Sequence, residues 1–93
     1  MISIPEPLWR DVTIVNALGL HARAAAKLAE AARLASGKIL LEVESERIDA
    51  KQVIDILTLA AAKGNSVRVI AEKESDRDVL DQIVDLFASG FGE

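Results

Sequence analysis

Between Asn16 and Leu28 the chain reads Asn-Ala-Leu-Gly-Leu-His-Ala-Arg-Ala-Ala-Ala-Lys-Leu, and this stretch limits the possible folds more than any other. Before it, Asp11 to Val15 alternates, Val12 and Ile14 against Thr13 and Val15, which is the pattern of a strand with one face on a core. After it, Ala25, Leu28, Ala29 and Ala32 recur at helical spacing, with Lys27, Glu30 and Arg33 off that stripe. A strand must therefore turn at Gly19 into a helix running from Ala22 to about Leu34, small enough along its buried side to lie close on a sheet, with Ser36-Gly37 closing it.

The only histidine in the chain, His21, falls at that junction. The start of a helix leaves backbone amides without partners and faces the positive end of its dipole outward, so it is a ready site for a phosphoryl group. Imidazole keeps a nucleophilic nitrogen at neutral pH and can take up such a group and pass it on. An isolated histidine is ordinarily a surface or capping residue, but the Gly19 turn, the helix start and Arg23 reverse that reading here. Arg23 is unfavourable against the helix dipole unless it serves an anion, and a dianionic phosphoryl group supplies the reason. Phosphoryl transfer asks for positioning and charge compensation, which a nucleophile, the Ala22 and Arg23 amides and one guanidinium provide.

The rest of the chain reads as scaffold. Ile39, Leu41 and Val43 alternate within Lys38 to Val43, and Arg47 to Ala50 follows the polar turn at Glu44-Ser45-Glu46 as the second arm of a hairpin. A second helix is expected from Lys51 to Lys63, stopped by Gly64, and a last strand from Ser66 to Glu72. Ser75-Asp-Arg-Asp78 resembles a capping box with Asp for Glu, opening a third helix with the stripe Val79, Leu80, Ile83, Val84 and Phe87 that ends near Gly90. The order β-α-β-β-α-β-α gives a two-layer α+β domain spanning residues 9 to 93, behind an extended lead-in of residues 1 to 8 that holds both prolines. Trp9 is expected to pack this lead-in against the domain edge. Order alone also fits a ferredoxin-like split β-α-β variant.

Composition narrows the function. A net charge of -4 speaks against a nucleic-acid partner, and 3% aromatic residues leave little to stack bases upon. The aliphatic core predicts no cavity for a large cofactor. With no cysteine and one histidine, neither a disulfide nor a metal site is expected. No apolar run reaches a membrane span and the first residues lack a signal peptide, so a cytoplasmic, monomeric protein is the expectation. Nothing resembles a P-loop, a dinucleotide turn or a nucleophile elbow.

Gly19-Leu20-His21-Ala22-Arg23 with Ala25-Ala26 resembles the active-site signature of HPr, the histidine-containing phosphocarrier of the bacterial phosphotransferase system. The likeness extends from about Arg10 onward through the second helix, and Phe87-Ala-Ser-Gly-Phe-Gly-Glu93 is similar to the ending of the nitrogen-related branch, NPr. The resemblance implies a four-stranded antiparallel sheet, an open-faced sandwich with three helices on one face. It implies that enzyme I, charged by phosphoenolpyruvate, phosphorylates His21 on Nδ1, that Arg23 steadies the group, and that an enzyme IIA domain receives it. The protein would be a relay with no cofactor of its own, serving sugar uptake or nitrogen regulation, with the ending and Gln52 tilting toward the latter or toward an unspecialised role. A module whose partner affinity His21 phosphorylation switches is the rival reading.

Three further expectations follow from the likeness. Ala24 stands where the family usually has proline, which restores an amide in the first turn and should alter the rate of transfer without abolishing it. The apolar arc of the second helix is wider than one buried face needs: Ile56, Leu59 and Ala60 are assigned to the core, and Leu20, Lys27, Val53, Ile54 and Leu57 become the docking candidates. Gln52 occupies the position of a regulatory serine and cannot be phosphorylated, so kinase control there is not expected.

Overall fold

The computed structural model describes residues 7–93. Four strands, β1 (Leu8–Thr13), β2 (Ile39–Val43), β3 (Glu46–Asp49) and β4 (Ser66–Ala71), form one antiparallel sheet in the order β1-β4-β2-β3. Helices α1 (Ala22–Ala32), α2 (Val53–Thr58) and α3 (Arg77–Ala88) complete the two layers. Pairing of β1 with β4 sets the topology: residues next to each other there, such as Val12 and Val67, are far apart in sequence. The open-faced sandwich expected from the resemblance is the observed fold, and the ferredoxin-like alternative is set aside by the strand order.

Strand alternation decides which face the helices cover. Ile39, Leu41, Val67, Val69 and Ala71 point to the core and are buried with Leu28, Ala29, Ile56, Leu80, Ile83 and Phe87 from the helices. Burying an aliphatic side chain of this size contributes roughly 1.5–3 kcal/mol, so the core rests on many aliphatic increments rather than on aromatic mass. The opposite sheet face carries Trp9, Asp11, Arg68 and Glu42, and its one deeply shielded residue among those described is Ile70, flanked across the strands by Trp9 and Leu40.

Several local expectations need correction. The first strand begins at Leu8, the last residue given to the lead-in, while residues 1–6 of that lead-in lie outside the described residues. The lead-in that Trp9 is expected to anchor lies, for residues 1–6, outside the described residues; Trp9 itself is a strand residue of the outer face, with the Arg68 guanidinium 4.0 Å from its ring centroid while binding Asp11 through two hydrogen bonds. The capping box expected from Ser75 and Asp78 is not made: Asp76, not Ser75, stands at the N-cap of α3. It precedes α3 but makes no side-chain cap bond; its buried carboxylate instead accepts the Ser36 amide at 2.9 Å and the Gly37 amide at 2.8 Å, tying the α1–β2 loop to the start of α3.

The largest departure is in α2, which spans six residues rather than the expected thirteen from Lys51 to Lys63. Alanine favours helix more than any other residue, so local propensity would carry the helix through Ala60-Ala61-Ala62. The chain leaves it because Ala60 adopts φ +49, which returns Ala61 toward the loop before α1, where its carbonyl accepts the Leu20 amide at 3.0 Å. Ala60 is consequently exposed, and Ile56, Leu59 and Ala61 are the buried core residues of this segment, with Val53 partly buried against them.

Candidate functional site

The site is built where that returning strap meets the loop of residues 16–20. Gly19 has φ +62, and a Cβ there would sit 2.5 Å from the Ala61 carbonyl oxygen and 2.9 Å from the Ala62 Cα, both backbone atoms. Only glycine combines the left-handed conformation with so close an approach. The consequence for Leu20 is burial, at 4% exposure in the core, so it offers no docking surface and leaves that list. The next residue, His21, then points outward at the N-cap of α1.

His21 has an extended backbone, φ -72 and ψ 178, and its side chain makes no cap bond. The first bond of the helix runs from the Ala25 amide to the His21 carbonyl at 2.8 Å, which leaves the amides of Ala22, Arg23 and Ala24 in the first turn without intrahelical acceptors. Ala22 and Arg23 are exposed. Arg23 makes no hydrogen bond or ion pair among the described residues, so its guanidinium stands beside the helix start uncommitted.

The imidazole has a partner that sequence reasoning missed. Its Nε2 lies 2.5 Å from Oε1 of Glu93, and the same oxygen accepts the Asn16 side-chain amide at 2.8 Å. His21, Asn16 and, through its charge, Arg23 all hold the Glu93 carboxyl below the usual range, the His21 bond most strongly, against a smaller opposing effect of desolvation. A carboxylate brings no hydrogen to the contact, so Nε2 donates, and in the neutral ring the lone pair is on Nδ1.

The tail reaches this point by a turn that no helical or strand pattern announces. After α3, Gly90, Phe91 and Gly92 all take left-handed conformations, with φ 62, 57 and 77. For Phe91 that conformation costs about 1–2 kcal/mol. Burial of the ring, edge-on to Phe87 with centroids 5.0 Å apart, offsets it with about 1.5–3 kcal/mol. Lys27 clamps the turn from α1 through a 2.6 Å bond to the Phe91 carbonyl. That bond commits the ammonium of one docking candidate to the tail.

The other candidates divide. Ile54 is 75% exposed and Leu57 39%, whereas Val53 is partly buried against the core. Leu18, 66% exposed on the loop of residues 16–20, was not foreseen. Gln52, at the N-cap of α2, is exposed. Among the described residues, no group of three His, Cys, Asp or Glu side chains gathers as a metal site would require. No helix among them is long and apolar enough to cross a membrane.

Comparison with known proteins agrees with this geometry. Residues 9–89 match the family model described as PTS HPr component phosphorylation site. The chain is 36% identical to the phosphocarrier protein HPr of Cupriavidus necator, covering 92% of this chain and 97% of that protein. It is 39% identical to the phosphocarrier protein NPr of Escherichia coli, covering 90% and 94%. Among solved structures, HPr from Thermoanaerobacter tengcongensis superposes with a TM-score of 0.87 at 34% identity, covering 92% of this chain and 97% of that one. A dimeric crystal structure of HPr from the same organism matches at a TM-score of 0.73 and 32% identity. With a glycine turn delivering one histidine to the head of a helix, on this sheet and with these relatives, the chain belongs to the HPr family of phosphocarrier proteins of the phosphotransferase system.

Proposed function

We propose that His21 accepts a phosphoryl group on Nδ1 from enzyme I charged by phosphoenolpyruvate, and passes it to a histidine of an enzyme IIA domain. The observation that supports this reading is the pairing of Nε2 with Glu93, which in the neutral ring leaves Nδ1 of the α1 N-cap residue as the nucleophile. In the loading step the Nδ1 lone pair forms a bond to phosphorus while the nitrogen–phosphorus bond of the donor breaks, its electron pair returning to the donor's ring. No proton need move at Nδ1. Charge on the incoming group is compensated by the Ala22 and Arg23 amides and the Arg23 guanidinium. Unloading is the same step with the roles exchanged.

Ile54 and Leu57, with the edge of Val53 and the stem of Lys27, form the docking surface for both partners. Exposed aliphatic side chains beside a transfer site give partners of different fold a common, non-directional contact. The relay works in the cytoplasm as a monomer, in sugar uptake or in the nitrogen-related cascade, and Gln52 makes it independent of kinase control.

Intact mass after incubation with phosphoenolpyruvate and enzyme I tests this. The expected product carries one acid-labile phosphoryl group, absent from His21→Ala, and loses it to added enzyme IIA. An unmodified protein, or an adduct that survives the substitution, would refute the reading; an adduct retained in the presence of every acceptor would turn it into a switch rather than a relay.

A further inference from the structure

Asn16 is 6% exposed, and its Oδ1 is enclosed with no hydrogen-bond partner. An unpaired buried carbonyl is a liability that an apolar residue of similar size would not carry. What the residue provides in exchange lies on the other end of its amide, where Nδ2 donates to the Gly19 carbonyl at 2.8 Å and to Glu93 Oε1 at 2.8 Å. Turning the amide over would set Oδ1 against two acceptors, so its orientation is fixed by its surroundings.

The placement ties together the two chain segments that flank the ring. The Asn16 backbone carbonyl accepts the Gly19 amide at 3.2 Å, and Gly90 of the tail packs so near that a Cβ there would come within 3.4 Å of the Asn16 Cβ. Lys27 and Phe91 hold the tail's backbone, but among the described residues Asn16 and His21 alone bond the Glu93 carboxylate itself. We infer that Asn16 is a positioning residue: by holding Glu93 Oε1 on the Nε2 side of the imidazole it decides which ring nitrogen reacts. This rests on the phosphocarrier reading only for its biological meaning, since the choice of nitrogen is a property of the free protein.

Potassium phosphoramidate phosphorylates histidine without any enzyme: a ring nitrogen bonds to phosphorus as the reagent's nitrogen–phosphorus bond breaks and ammonia leaves. Phosphorus NMR of the product distinguishes the two isomers. The parent is expected to give the Nδ1 isomer, and Asn16→Ala should raise the share of the Nε2 isomer by about tenfold, the scale of a lost bond to a charged group. In a Glu93→Ala background the same substitution should change nothing further, because Asn16 acts through that carboxylate. An unchanged isomer ratio in Asn16→Ala overturns the inference, as does an equal effect with and without Glu93, which would make Asn16 merely a clamp of its loop. Should Asn16→Ala not fold, the unaltered protein decides: the Asn16 side-chain amide signals must shift with the titration of the Glu93 carboxyl, and insensitivity to it overturns the inference. Loading by enzyme I plays no part in these measurements, so the carrier reading stands or falls separately.

Discussion

Replacing Gly19 by alanine should damage the protein far more than the same change at Gly64, though both residues have positive φ. At Gly64, φ is +91 and a Cβ would meet nothing within 4 Å. The left-handed conformation costs an L residue about 1–2 kcal/mol, and the restricted unfolded chain returns about 0.4–1 kcal/mol. Gly64→Ala therefore loses about 1.6 kcal/mol at most. At Gly19 the contact with the Ala61 oxygen, at 2.5 Å, falls well inside the 3.4 Å where ordinary contact begins, and the opposing atoms are backbone. Relief demands a shift of roughly 0.9 Å between the loop and the strap, which adds about 1–3 kcal/mol of overpacking. It also strains the Leu20 to Ala61 hydrogen bond. The expected loss is about 2–4 kcal/mol, or a fall in Tm on the order of 10–25 °C for a domain of this size. Thermal unfolding followed by circular dichroism measures both variants. Equal losses at the two sites would show that the strap does not constrain the loop and that the close approach has no energetic consequence.

Three other outcomes follow from the site and its supports. Phe91→Ala should lower stability by about 3 kcal/mol by emptying the space beside Phe87, and the Glu93 carboxyl should return toward the usual range in a carbon-13 titration. Ile54→Asp should leave stability within about 0.5 kcal/mol, since the side chain is exposed, while slowing transfer from enzyme I in stopped-flow or quench assays. Asp76 and Glu93 have carboxyls held below the usual range, Asp76 chiefly by the Ser36 and Gly37 amides and Glu93 chiefly by His21. Each therefore contributes stability that is present above the usual carboxylate range and disappears as pH falls through the lowered value. Asp76→Asn should flatten the acid limb of a plot of Tm against pH.

Periodicity made α1, the β2–β3 hairpin, β4 and α3 legible, because in each the buried stripe repeats with the period of the element. The glycine, the single histidine and the arginine on the first turn marked the site for a related reason: all three effects are local. What escaped notice depends on contacts between distant segments. Nothing in Leu-Ala-Ala-Ala announces that the chain must leave the helix at Ala60 to meet Leu20. Leu20 itself looked like an exposed neighbour of His21, and its burial follows only from the strap. Glu93 and Asn16 are separated by 77 residues, so their meeting requires the left-handed turn at Phe91, which a phenylalanine disguises. The pairs Ser89-Gly90 and Phe91-Gly92 were the one available signal, since two glycines bracketing an aromatic residue favour a turn that buries the ring.

The shortness of α2 has a mechanical meaning. Leu57 accepts the Ala60 amide at 3.1 Å, and Ala61 accepts the Leu20 amide at 3.0 Å, so one hydrogen-bonded bracket runs from the helix that bears Ile54 to the residue preceding His21. Thirteen residues of helix would have carried that end of the chain away from the ring. The partner proposed to press on Ile54 and Leu57 would thus lean on the same frame that holds the residue preceding the imidazole.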